Sequence, residues 1–257
     1  SSSVYAAGLA GAGGGAGAGS TGTFSGNFSQ AAGAVFDGGA GDDKPFAVSI
    51  STASGDVFVC GNSSQGVAGM DWALARFNSA GVRQASLIDS LSSAGDNCHG
   101  LSYSAAFNHL LAVGVSGPNF VLRKYDTGFN LLLSTTHAGS GTTSLGRQLG
   151  GSGAVYTAQG GGSPLTVRLD KFNPGNFSWI SSGSVAYSSL DLSSNAVLSR
   201  DMMVDAAGNA FVAIRRAPTG LKVPDSIGIL KFGPDLAFIS SVSFPSLGAF
   251  DQSGVGT

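Results

Sequence analysis

The chain has 257 residues and a net charge of −2, with charged residues at 11%, well under the ~25% of an average soluble protein. That balance offers no basic stripe for nucleic acid, and no apolar run approaches the ~20 residues that span a bilayer as a helix. All 15 acidic residues are Asp, which suits turns better than helices, and 41 residues are Gly, so the composition reads as all-β and loop-rich.

In chain order the sequence is one four-strand phrase written repeatedly. Ser1–Ser3 read as a turn, followed by a short apolar strand at Val4–Gly8. Gly8–Ser20 is almost entirely Gly and Ala and reads as a surface loop. Strands at 21–30 and 34–38 close the first segment. The next unit opens with an inner strand at 47–52 and a turn, Ala53-Ser-Gly-Asp56. It continues with Val57-Phe-Val-Cys-Gly61, the phrase Leu74-Ala-Arg-Phe-Asn-Ser-Ala-Gly81 and a strand at 82–89. The third unit runs through 99–104, Leu110-Leu-Ala-Val-Gly114, Leu122-Arg-Lys-Tyr-Asp-Thr-Gly128 and 129–135. The fourth runs through 144–150, Ala154-Val-Tyr-Thr-Ala158, Leu169-Asp-Lys-Phe-Asn-Pro-Gly175 and 177–184. The fifth runs through 200–205, the turn Ala206-Ala-Gly-Asn209, Ala210-Phe-Val-Ala213, a loop enlarged by Arg215–Pro224, Leu230-Lys-Phe-Gly-Pro234 and 236–243. Ser246–Gly254 then supplies one more strand and its turn.

A repeat of about 50 residues built from four short strands is the pattern of a propeller blade. The expected fold is an all-β, five-bladed β-propeller in one domain, 1–257. Its blades fall near 1–40 with 246–257, 41–92, 93–140, 141–190 and 191–245. The first blade is split, three strands coming from the N-terminus and one from the C-terminus. Such closure pairs the last strand with the first and removes an open sheet edge.

The third strand of each unit carries an aromatic: Phe28, Phe77, Tyr125, Phe172, Phe232. Arg76, Lys124, Lys171 or Lys231 precedes it, with Asn27 the exception. Neighbours on a strand point to opposite faces. The aromatic is therefore expected between sheets, and the basic residue along the other face.

The stretch Gly41-Asp-Asp43, Ser54-Gly-Asp56, Val57-Phe-Val-Cys-Gly61, Asp71-Trp-Ala-Leu-Ala-Arg-Phe77 and Ala80-Gly81 resembles the SBBP-type β-propeller repeat of bacterial extracellular proteins. The resemblance is close over 41–90, fair over 197–240 and weak elsewhere. It implies a secreted propeller and brings no shared catalytic motif.

The constellations that would carry chemistry are sparse. Paired carboxylates at a propeller axis can cleave glycosides, but the acids in recognisable inner strands are Asp201, Asp205 and Asp251, of which the last two sit at turns. His99, His109 and His137 have no ligand-like spacing, and Gly13–Gly17 lacks the Lys and helix of a phosphate loop. No catalytic, cofactor or metal site is expected, and the chain is not expected to be an enzyme. Cys60 and Cys98 are its only cysteines. They end and begin strands of adjacent blades on one face, which makes a disulfide credible, with two buried thiols as the alternative. Asn27, Asn62 and Asn176 head Asn-x-Ser sequons, Asn62 in what reads as an exposed loop.

The start at Ser1 is that of a processed protein, so the expected location is extracellular or at the cell surface. The expected role is a non-catalytic structural subunit of a surface or filamentous assembly. Expected partners are copies of itself or other extracellular proteins, with neither nucleic acid nor membrane insertion. The alternative is a glycan-binding propeller, against which Trp72 and Trp179 occupy non-equivalent positions.

Overall fold

The computed structural model describes residues 41–65, 69–92, 95–138, 143–149, 154–161, 166–186, 197–216 and 226–244. Four antiparallel sheets of four strands appear among them, each in simple chain order. The first contains β1 (Asp43–Ile50), β2 (Val57–Ser64), β3 (Met70–Phe77) and β4 (Arg83–Asp89). The second contains β5 (Asp96–Ser104), β6 (His109–Ser116), β7 (Asn119–Asp126) and β8 (Leu131–Ala138). The third contains β9 (Thr143–Leu149), β10 (Val155–Gly161), β11 (Thr166–Phe172) and β12 (Trp179–Ala186). The fourth contains β13 (Val197–Val204), β14 (Ala210–Arg216), β15 (Ser226–Phe232) and β16 (Phe238–Phe244).

Each sheet is a meander, its strands hydrogen-bonded in chain order. In the first sheet Ser51 caps the β1–β2 turn, where Gly55 takes φ +72°. The first strands pack in series, β1 on β5, β5 on β9 and β9 on β13, while β4, β8, β12 and β16 lie farthest out. This is a β-propeller with four-stranded blades. β13 and β1 do not pack on each other as the other consecutive inner strands do. The described residues hold four blades where the repeat count led us to expect five. The split blade assigned to 1–40 and 246–257, with Phe28 and Asn27, lies outside them.

The core is the set of layers between blades. Phe58, Trp72 and Leu74 of the first blade meet Leu101, Leu110, Tyr125 and Phe129 of the second. Leu111, Val113, Phe120 and Leu122 meet Val155, Phe172 and Phe177. Tyr156, Ala158, Val167 and Leu169 meet Val204, Val212, Leu230 and Phe232. The third-strand aromatics Phe77, Tyr125, Phe172 and Phe232 are all buried, as the alternation required.

The outer strands begin later than the sequence suggested. Gly81, Phe129, Phe177 and Leu236 occupy one equivalent turn position in the left-handed region, at φ +77°, +69°, +56° and +65°. Bulky residues are strained there by ~1–3 kcal/mol. Here the strain is offset by burial, since Phe129, Phe177 and Leu236 plug the layer against the preceding blade.

Candidate functional site

The inner strands share an irregularity that a pattern of alternation cannot show. β1 holds one extra residue at Phe46, opposite the step from Cys60 to Gly61, and β5 holds one at His99, opposite Val113 and Gly114. β9 does the same at Gly146, and in β13 the stretch 199–201 lies opposite Ala213 alone. A bulge bends its strand and re-aims a side chain. The first two meet: the Phe46 and His99 rings are edge to face with centroids 5.4 Å apart. The bend also brings the Lys44 carbonyl onto Gly61 and the Asn97 carbonyl onto Gly114, where a Cβ would collide. That collision is the reason for the Gly that ends both second-strand phrases.

Beside the bulges, Cys60 and Cys98 form a disulfide with Cα atoms 5.7 Å apart, joining β2 of the first blade to β5 of the second. Both sulfurs lie in the apolar layer. A bridge of this kind is consistent with an extracellular location. Next to it the Asn62 amide donates to Asn97. Asn62, expected in an exposed loop, instead lies within β2 and is 5% exposed, because the second strand runs on to Ser64. Asn176 is exposed in the β11–β12 turn, its Oδ1 accepting from the Ser178 amide. Asn27 lies outside the described residues.

Three of the four repeated basic residues on the described third strands bridge blades. Arg76 donates to the Thr127 carbonyl at 3.2 Å, Lys124 to Pro174 at 3.0 Å and Lys171 to Pro234 at 3.1 Å. Each acceptor is the turn before the outer strand of the following blade. Three of these cations also lie over a ring facing them from the second strand, Arg76 on Phe58, Lys171 on Tyr156 and Lys231 on Phe211, at 5.3–5.8 Å. Lys124 faces Leu111 in its own blade and covers Phe177 of the next instead. The sequence placed these residues on the correct face; their reach across the blade boundary was not legible in it.

Six of the described acids are engaged in structure. Asp56 receives Arg76 at 2.6 Å, Asp89 receives Arg123 from the next blade, and Asp170 receives Arg168 at 2.8 Å. Asp96 closes the loop before β5, accepting from the Leu91 and Ser92 amides. Asp205 accepts from the backbone and side chain of Asn209, and Asp126 from those of Asn130. These bonds hold both carboxyls below their ordinary range. Asp205 is thus the turn former the sequence indicated. Asp201 lies on β13, and Asp251 lies outside the described residues.

Burial pushes the Tyr125 phenol up, although Arg123 draws it the other way. Burial also works against the Arg123 charge, but Tyr125 and Asp89 outweigh it and raise the guanidinium. His109 is stacked on Phe107, and burial together with the Lys124 cation lowers its pKa. His137 lies against Phe172 and His99 against Phe46, so the three histidines have separate ring partners. Among the described residues no three His, Cys, Asp or Glu side chains come together as a metal would need, and no helix is long and apolar enough to cross a membrane.

No protein-family model matches the chain, and no curated protein does. Solved structures do. The chain is similar to hydrazine synthase of Kuenenia stuttgartiensis, with 11% identity and a TM-score of 0.56 over 79% of this chain and 54% of that one. It is also similar to a protein from Lactobacillus plantarum, with 12% identity and a TM-score of 0.50 over 80% and 57%. The chain therefore spans just over half the length of these structures. At such identity the likeness is one of fold. Both the repeats and these neighbours give a β-propeller.

Proposed function

We propose that this chain is an extracellular structural propeller of the SBBP repeat type, a subunit of a surface or filamentous assembly. One observation carries the reading: blade is fastened to blade by bonds that leave little room for opening. The first boundary alone holds the Cys60–Cys98 disulfide, the Arg123–Asp89 ion pair and the Arg76–Thr127 bond. A module locked in this way transmits load and survives outside the cell, where disulfides persist.

The proposed ring has five blades, the fifth built from 1–40 and 246–257. The lack of close packing between β13 and β1, unlike the other consecutive inner strands, and the fifth copy of the repeat phrase support it. Native material imaged by electron microscopy, with its mass in solution, tests the role. Regular assemblies containing the chain are expected, and a chain found only as isolated single copies overturns the proposal. The lectin alternative rests on the exposed ring of Trp179 and is tested by a glycan array, on which we expect no binding above background.

A further inference from the structure

The outermost strands of three blades share a chemistry that the first blade lacks. β8 reads Leu-Leu-Leu-Ser-Thr-Thr-His-Ala, β12 Trp-Ile-Ser-Ser-Gly-Ser-Val-Ala and β16 Phe-Ile-Ser-Ser-Val-Ser-Phe. None contains Asp, Lys, Arg or Pro. β4, in contrast, begins with Arg83 and ends with Asp89.

Each of the three opens on a pair of large apolar residues at equivalent register, opposite Tyr125, Phe172 and Phe232. The pairs are Leu131-Leu132, Trp179-Ile180 and Phe238-Ile239. Neighbours on a strand point to opposite faces, yet both members of every pair are exposed, Leu132 by 55%, Trp179 by 53% and Ile239 by 53%. The outer strand thus presents apolar surface on both of its faces. Among the described residues no further strand pairs with its outer edge, and it lacks the charges and prolines with which natural sheets blunt such edges.

Resting on the structural reading above, we propose that β8, β12 and β16 are self-pairing edges, through which copies of this chain join strand to strand. The occupant follows from charge and symmetry. In an isologous antiparallel pairing each residue meets a residue of the same strand from the other copy. A charged strand would set like charges near one another or need a complement, and these three hold none. An acidic or basic partner finds nothing to answer it along these edges. A second copy brings an edge of the same length, the same uncharged hydroxyl rows and the same apolar pairs.

The area argues for association through several edges. A strand of 8 residues is about 26 Å long. Pairing over that length, with side chains on both faces, covers on the order of 1,000 Å² in total, the lower bound of a specific interface. One edge is therefore weak, and three on each propeller extend into a polymer or sheet and do not close at a dimer.

The test is the mass of the full, disulfide-bonded chain across a concentration series, by sedimentation and light scattering. It is run beside a variant with Ser134→Lys, Ser182→Lys and Ser241→Lys. These serines are equivalent, exposed and outside the core, opposite Arg123, Asp170 and Leu230. The wild type is expected to grow in mass with concentration, and the variant to need at least about tenfold more protein for the same growth.

A second variant, Leu132→Thr, Ile180→Thr and Ile239→Thr, keeps the strands and removes apolar surface. It is expected to shift in the same direction and decides the matter if the lysine variant does not fold. Equal association by the wild type and a folded variant overturns the proposal. So does a wild type that stays single-copy at all concentrations, or one that binds neutral phospholipid vesicles or glycans through these strands in place of its own copies. If native material is assembled while the purified chain stays single-copy, the edges fail and the structural role stands.

Discussion

The ammonium of Lys171 in the third blade donates to the carbonyl of Pro234 in the fourth, 3.1 Å across the blade boundary. Lys124 makes the equivalent bond to Pro174, and Arg76 to Thr127. A basic residue repeated about every 50 positions is thus a repeated fastener. Its alkyl stem lies over the ring or aliphatic side chain beneath it, and its charge sits on a turn whose carbonyl would otherwise face water. Replacing Lys171 by Met keeps the stem and removes the bond. We expect a loss of about 1 kcal/mol, the low end for a charged donor because the site is partly wet. Urea unfolding of the single variant and of Lys124→Met with Lys171→Met measures it. The losses should add, because the two bonds share no partner.

The Cys60–Cys98 bridge closes a loop with a sequence separation of 38. Restricting the unfolded chain by that closure contributes about 4 kcal/mol. Intact mass before and after reduction should show the bonded pair, and the reduced protein should unfold at lower denaturant. Two thiols alkylated in the untreated folded protein would contradict the bridge.

Gly61 and Gly114 should tolerate no side chain, because the bulges at Phe46 and His99 press a carbonyl onto each. Gly61→Ala and Gly114→Ala are expected to cost about 1–3 kcal/mol, the range for forced overpacking. Gly69, with open space around it, serves as a positional comparison, although its φ of +98° makes any substitution there strained too. Calorimetry of the variants decides.

Phe177 tests the balance between strain and burial. Phe177→Gly relieves a left-handed residue, worth about 1 kcal/mol or more. It also empties a site between two blades that normally costs ~3–5 kcal/mol to vacate. A net loss of about 2–3 kcal/mol is expected. A variant as stable as the wild type would show that the turn, and not the plug, dominates.

His109 should make stability depend on pH. Its folded-state pKa lies below the ordinary value of about 6.5 because of burial and Lys124. Above that value both states are neutral and the group contributes no slope. As pH falls below it the unfolded chain takes up the proton first, so stability declines until the folded group protonates as well. Denaturation midpoints followed downward from neutral pH should show this decline, and His109→Gln should flatten it.

Much of this molecule was determined by its sequence alone. The period of the strands, the buried ladder of Phe77, Tyr125, Phe172 and Phe232, and the basic residue on the opposite face follow from alternation, which is a local property of the backbone. The cysteine pairing was legible as one of two alternatives, because Cys60 ends one strand and Cys98 begins another on the same face of adjacent blades, and the structure decides for the bridge.

The tertiary structure decided the rest. Asn62 is buried because its strand continues past the apolar phrase into polar residues, pairing edge to edge with Asp43–Pro45, and hydropathy does not report pairing. Phe129, Phe177 and Leu236 are turn residues in a strained conformation, since a neighbouring blade supplies the burial that offsets the strain. Lys124 and Lys171 reach carbonyls some 50 or more positions away, and the exposed pairs on β8, β12 and β16 lie on rims that exist only once blades stand beside one another. Alternation acts between neighbours along the chain, whereas each of these features depends on strands or blades brought together from distant parts of it.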